Sequence, residues 1–145
     1  MIALLQRVSE ASVSVEGQRI AEIAQGLMVL IGVEQNDTHA QADRLLQRII
    51  GYRVFADSHG KMNLNLVDVQ GSLLLVPQFT LPADTRKGLR PSFTPAARPA
   101  QGAELFDYLV NQACQTAVKV ASGEFGANMQ VALVNEGPVT FWLQT

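Results

Sequence analysis

Chemically reactive residues are scarce in this chain. Its 145 residues include one cysteine and two histidines. The lone Cys114 excludes an internal disulfide framework, and a reduced, cytoplasmic setting is the expectation. His39 and His59 stand far apart, at an expected helix start and an expected turn tip, so both read as surface residues. No metal-ligand cluster and no cofactor are expected. No glycine-rich loop opens a helix, Gly-x-Ser-x-Gly is absent, and so is any convincing carboxylate pair. Long apolar runs are missing too. The opening MIALLQRVSE meets Arg7 and Glu10 too soon for a secretory leader, and no stretch approaches a membrane span. Charge of one sign is lacking: 11 Lys and Arg face 13 Asp and Glu, a formal net charge of -2. That balance excludes a protein that coats nucleic acid by charge alone, though not one with a local basic patch.

What is present is a core. Hydrophobic residues make up 48% of the chain, and no repeat, low-complexity tract or linker divides it, so residues 1–145 are expected to form one domain. Residues 2–9 read as a strand, with a further alternating stretch at Val13 and Val15. Gly17 turns the chain into a strand around 19–23, and Gly26 turns it again into LMVLIGV, which is apolar on both faces and so central to a sheet. Asn36, Asp37 and Thr38 can cap a helix that carries Ala42, Leu45, Leu46, Ile49 and Ile50 at helical spacing and ends near Gly51. Met62, Leu64 and Leu66 alternate with asparagines. A strand follows over 72–79. A second helix is expected from Pro99 to about Ser122, stopped by Gly123, with Leu105, Phe106, Leu109, Val110, Ala113, Cys114 and Ala117 on its buried stripe. Two last strands are expected at 129–135 and 138–144. This order suggests a mixed sheet with both helices on one side and a further β-layer covering the early hairpin.

Two strands are interrupted in an unusual way. In LLLVPQFTL, Pro77 ends an apolar run, and Gln78 and Thr80 stand where a core strand would stay apolar. A ladder broken there frees the N–H groups of Gln78, Phe79 and Thr80, and paired backbone N–H groups suit an oxyanion. An ordinary edge strand ending at Pro77 would read the same way. Gly137-Pro138 breaks a second run near the end. Between 80 and 100 the chain is irregular and proline-rich, and its Arg86, Lys87, Arg90 and Arg98 face only Asp84. With Phe93 as a stacking face, that loop suits single-stranded RNA; a merely solvated loop is the other reading.

Together these residues resemble the D-aminoacyl-tRNA deacylase family over the whole chain. The resemblance rests on MIALLQRVSEASVSVEG, GYRVFADSHGKMNLN, QFTL at 78–81, RPSF at 90–93 and the ending with Asn135, Gly137, Pro138 and Thr140 in an Asn-x-Gly-Pro-x-Thr pattern. It implies a three-layer α/β/β fold, a homodimer, and hydrolysis of the ester between a D-amino acid, or glycine, and the terminal adenosine of tRNA. It implies that Gln78, Phe79 and Thr80 line the pocket, mainly through backbone groups. Phe125 and Met129 would hold the adenine, and Arg7 would steady the Gly-Pro loop. That loop would enter from the partner subunit with a cis bond and reject L-substrates. Phe93 is grouped with the substrate-binding residues, and Arg86, Lys87 and Arg90 with the tRNA contacts. One departure is visible: the family usually has Ser where this chain has Pro77. A non-hydrolytic aminoacyl-tRNA-binding module is the alternative. A general small-molecule esterase is disfavoured by the missing nucleophile.

Overall fold

The computed structural model describes residues 1–145. Its elements are β1 (Ile2–Val15), β2 (Gln18–Ile23), β3 (Gly26–Gly32), α1 (His39–Gly51), β4 (Phe55–Ala56), β5 (Met62–Leu64), β6 (Ser72–Pro77), α2 (Pro99–Cys114), β7 (Lys119–Ser122) and β8 (Met129–Gln144). One mixed sheet runs β2-β1-β3-β6-β7, with β8 paired to β1 outside that path, and β4-β5 forms a small second sheet. Residues 2–8 of β1 pair with β3 and residues 11–15 with β2, while β8 runs antiparallel beside β1 from residue 2 to residue 15. The β3–β6 and β6–β7 pairs are parallel.

Alternation along β3 and β6 builds the layers. Leu27, Val29, Ile31, Leu73 and Leu75 face a core shared with both helices. Met28, Leu74 and Val76 face a smaller core with Val8, Ala11, Val13, Ala21 and Ile23. Strands buried on both faces must be apolar throughout, which is why these runs show no alternation of polarity. The result is a helix layer, a central sheet and a second β-layer, with both helices on one side, as the sequence led us to expect. Gly26 is less a turn residue than a contact residue: a Cβ there would lie 1.9 Å from the carbonyl oxygen of Ser72 on β6. Asp37 is the one buried charged side chain, and the fully buried Met1 ammonium meets its carboxylate at 2.5 Å.

Several expectations are corrected. β1 is one strand of 14 residues rather than two pieces. β8 is likewise one strand of 16 residues, not two. The second helix ends at Cys114, not near Ser122. Thr116 closes it: its N–H and hydroxyl both donate to the carbonyl of Ala113, and its hydroxyl oxygen accepts from the N–H of Val118. The chain then pairs with β6 as β7, and Gly123 terminates that strand rather than the helix. Cys114 and Ala117, both expected to be buried, are exposed: Cys114 sits in the last helical position and Ala117 lies beyond the helix end.

Candidate functional site

The end of β6 explains why a proline is tolerated beside a central strand. The N–H of Gln78 donates to Ile31 on β3 at 2.7 Å. The nitrogen of Pro77 therefore turns to the opposite side, where β7 has already finished and Gly123 makes the last bond, to Leu75 at 2.8 Å. Proline forfeits no ladder bond at such a place. This corrects one expectation, since the Gln78 amide is occupied within the sheet. The N–H groups of Phe79 and Thr80, just past the strand, have no acceptor in the chain. The Gln78 side-chain amide donates to the Thr80 hydroxyl and so fixes that short segment.

Beside these groups lies a cavity of about 430 Å³. Pro77, Gln78 and Phe79 form one wall, Gly102 and Phe106 of α2 another, and Phe125 and Met129 a third. Phe125 and Met129 each make a close contact there. A Cβ on Gly102 would stand 3.1 Å from the Phe125 ring, so a glycine in the first turns of α2 lets that ring lie against the helix. The N–H of Glu124 donates to the Met129 sulfur at 3.4 Å, and a Cβ on Gly123 would meet that sulfur at 2.8 Å. No residue lining the cavity is titratable. Side-chain acid-base chemistry therefore has no local source; backbone dipoles and groups brought by a ligand are what the site offers. A wider groove of about 690 Å³ lies along β1, β2 and β8 and contains none of the sequence-predicted site residues.

The second interruption is a bulge. Asn135 pairs with Val8 and Thr140 with Gln6, so residues 136–139 stand opposite Arg7 alone. The Gly137–Pro138 bond is cis, and Gly137 has φ +132°, a region that favours glycine. Asn135 staples the bulge: its amide donates to the Thr140 hydroxyl at 2.8 Å, and its oxygen accepts the N–H of Val139 at 3.0 Å. Neither Gly137, Pro138 nor Arg7 lines the cavity of its own chain.

The structure thus brings Gln78, Phe79, Phe125 and Met129 together and places Thr80 beside them through Gln78. Phe93 stands next to this group, its ring 5.3 Å from that of Phe79. Arg7, Gly137 and Pro138 gather at a separate place. Arg86 is bound to Asp84, whereas Lys87 and Arg90 are exposed and make no ion pair. Sequence reasoning missed Gly102 as a wall residue and took Phe106 only for core. A single glycine inside a helical pattern was the available signal.

Residues 4–144 match the family described as D-Tyr-tRNA(Tyr) deacylase. A protein named D-aminoacyl-tRNA deacylase from Thioalkalivibrio sulfidiphilus is 63% identical over 144 residues, 99% of this chain and 97% of the other. One of the same name from Pseudomonas fluorescens is 63% identical over 145 residues, 100% of both chains. Among solved structures, one described as c-Myc DNA Unwinding Element Binding Protein superimposes with a TM-score of 0.95 at 36% identity, covering 100% of this chain and 99% of that one. Another, described as a probable eukaryotic D-amino acid tRNA deacylase, shares the fold with a TM-score of 0.84 at 18% identity, over 99% and 98% of the two chains.

Proposed function

The chain belongs to the D-Tyr-tRNA(Tyr) deacylase family, and from that premise we propose that it hydrolyses the ester joining a D-amino acid, or glycine, to the terminal adenosine of tRNA. One observation carries the reading: Phe79, in the wall of a cavity that has no titratable lining, and Thr80, the next residue, both have unpartnered backbone N–H groups. Ester hydrolysis passes through a tetrahedral oxyanion, and such donors stabilise it without a side-chain acid or base. Water adds to the carbonyl carbon, a ribose hydroxyl of the substrate orients it and relays its proton, and the ester C–O bond breaks to release free amino acid and tRNA. Phe125 and Met129 receive the adenine. Thr80 positions the segment and is not the nucleophile, because no base stands near to activate it.

Gly137 and Pro138 belong to the pocket of a second copy. Their carbonyl oxygens receive the substrate α-amino group, and their bulk occupies the space an L side chain would need, so the enzyme proofreads by rejecting L-substrates. Two observations support a homodimer. The bulge lies away from the cavity of its own chain. In addition, β8 pairs only with β1, leaving a long free edge with Val131, Val134 and Trp142 exposed. The enzyme acts as a single domain, without metal, in the cytoplasm. The test is single-turnover hydrolysis of D- and L-tyrosyl-tRNA with a strong chelator present. Selective loss of the D-ester supports the proposal. Binding without cleavage would leave a binding module, and activity restored only by zinc would overturn the mechanism.

A further inference from the structure

The chain between β6 and α2 leaves the cavity rim as an extruded finger. Its base is pinned by paired backbone bonds: the N–H of Asp84 donates to Ser92 at 2.8 Å, and that of Ser92 donates back at 2.9 Å. Arg86 adds three more, from its backbone N–H at 3.0 Å and its guanidinium at 2.9 and 2.7 Å, all to the Asp84 carboxylate. These bonds hold that carboxyl well below the usual range. Arg86 is therefore a brace. Beyond it, Gly88 turns the chain at φ +71°, and Leu89 stands at the tip with 104% of its reference surface exposed. Lys87 and Arg90 flank it with no acidic partner. One residue past the base, Phe93 packs on Phe79 and ties the finger to the cavity mouth.

A leucine in full solvent contributes nothing to the fold. Here it sits between two free cations in a protein of net charge -2, and the only local acid is neutralised by the brace. An apolar point between cations complements a nucleic-acid strand, where a base face lies beside phosphates. We propose that this tip grips the acceptor end of the tRNA just before the terminal adenosine, with Lys87 and Arg90 on phosphates and Leu89 against an exposed base. The inference rests on the function proposed above, and it separates the tRNA grip from the cavity that holds the adenosine ester.

The experiment compares two esters, D-tyrosyl-tRNA and D-tyrosyl-adenosine, which lacks the polynucleotide. For Leu89→Ser, kcat/KM on the tRNA ester should fall about tenfold relative to the adenosine ester, as expected for partial burial of one leucine. For the double variant Lys87→Ala/Arg90→Ala, the log–log salt slope on the tRNA ester should drop by about 2, one unit per phosphate contact. Equal effects on both esters, or no effect on either, would overturn the inference alone. So would a tRNA-specific loss that accompanies a halving of the particle mass, which would assign the tip to a second copy of the chain. A parent protein inactive on both esters would overturn the function and the inference with it.

Discussion

Arg7 donates from Nε to the carbonyl oxygen of Glu136 at 3.1 Å and thereby fastens the start of the β8 bulge to β1. Its Nη1 also donates to the carbonyl of buried Val54 at 2.7 Å. The Glu136 carboxylate is 4.0 Å from Nε and half-exposed, so the charge pair adds little to these bonds. Arg7→Met keeps the aliphatic stem but loses both donors, and should lower stability by about 1.5–3 kcal/mol. The urea midpoint should fall with the slope unchanged. Activity on the D-ester should fall further than the unfolded fraction explains, and Arg7→Lys should recover part of it. An unaltered midpoint with unaltered activity would separate Arg7 from the bulge.

Gly26 gives a test of the parallel β3–β6 pairing. A methyl group there would meet the Ser72 carbonyl oxygen at 1.9 Å, and neither backbone can yield without parting the strands. Gly26→Ala should therefore cost roughly 3 kcal/mol or more, at or beyond the usual range for overpacking. By contrast, nothing lies within 4 Å of a Cβ on Gly51, at the end of α1. Gly51→Ala should leave the urea midpoint within about 0.5 kcal/mol of the parent. Equal midpoints for the two variants would show that the close approach is not what fixes glycine at 26.

Much of this architecture was legible because its signals are local. The caps before α1, the doubly buried β3 and the proline at the start of α2 each announce themselves within a few residues. β7 was not legible: it is four residues long, and its Val118 and Val120 neighbourhood continues the apolar rhythm of the helix before it. Only pairing with Ser72–Leu75 makes it a strand. Pro77 coincides with the end of β6, and Gly137-Pro138 with a bulge inside β8 rather than a gap between two strands. The fate of the Gln78 amide depended on which side of β6 keeps its neighbour, and that is a property of the sheet. The wall residue Gly102 depends on Phe125, far along the chain, and so carried no local sign beyond its being a glycine in a helix.

Thr80 separates two catalytic schemes. Its hydroxyl accepts from the Gln78 amide, and no titratable group lines the cavity beside it. Thr80→Ala should keep D-ester hydrolysis within about tenfold of the parent, because only a neutral hydrogen bond is lost. Replacing the Thr80 residue by its α-hydroxy-acid counterpart in a semisynthetic chain retains the hydroxyl and removes the N–H. That change should cost about 10²–10³ in kcat, the usual loss for one oxyanion donor. The reverse ranking would make the hydroxyl the catalyst.

Subunit exchange tests whether the bulge serves another chain's cavity. Gly137→Val disables the bulge: φ is +132° there, and a Cβ would lie 2.7 Å from Val139 and 3.1 Å from the Arg7 guanidinium. Gly102→Phe disables the cavity, since even a Cβ reaches the Phe125 ring at 3.1 Å. Each variant alone should be nearly inactive on D-tyrosyl-tRNA. Unfolded and refolded together in equal amounts, they form mixed dimers as half of the population if pairing is random. A mixed dimer contains one intact cavity facing one intact bulge when the bulge acts across the interface. Activity should then return to about a quarter of the parental level, because a two-fold symmetric dimer has two equivalent sites. If the bulge served its own chain, every site in the mixture would carry a defect and no activity would return. Light scattering on the same sample should give about twice the chain mass of 15.7 kDa, and an active species at the single-chain mass would exclude the shared site altogether.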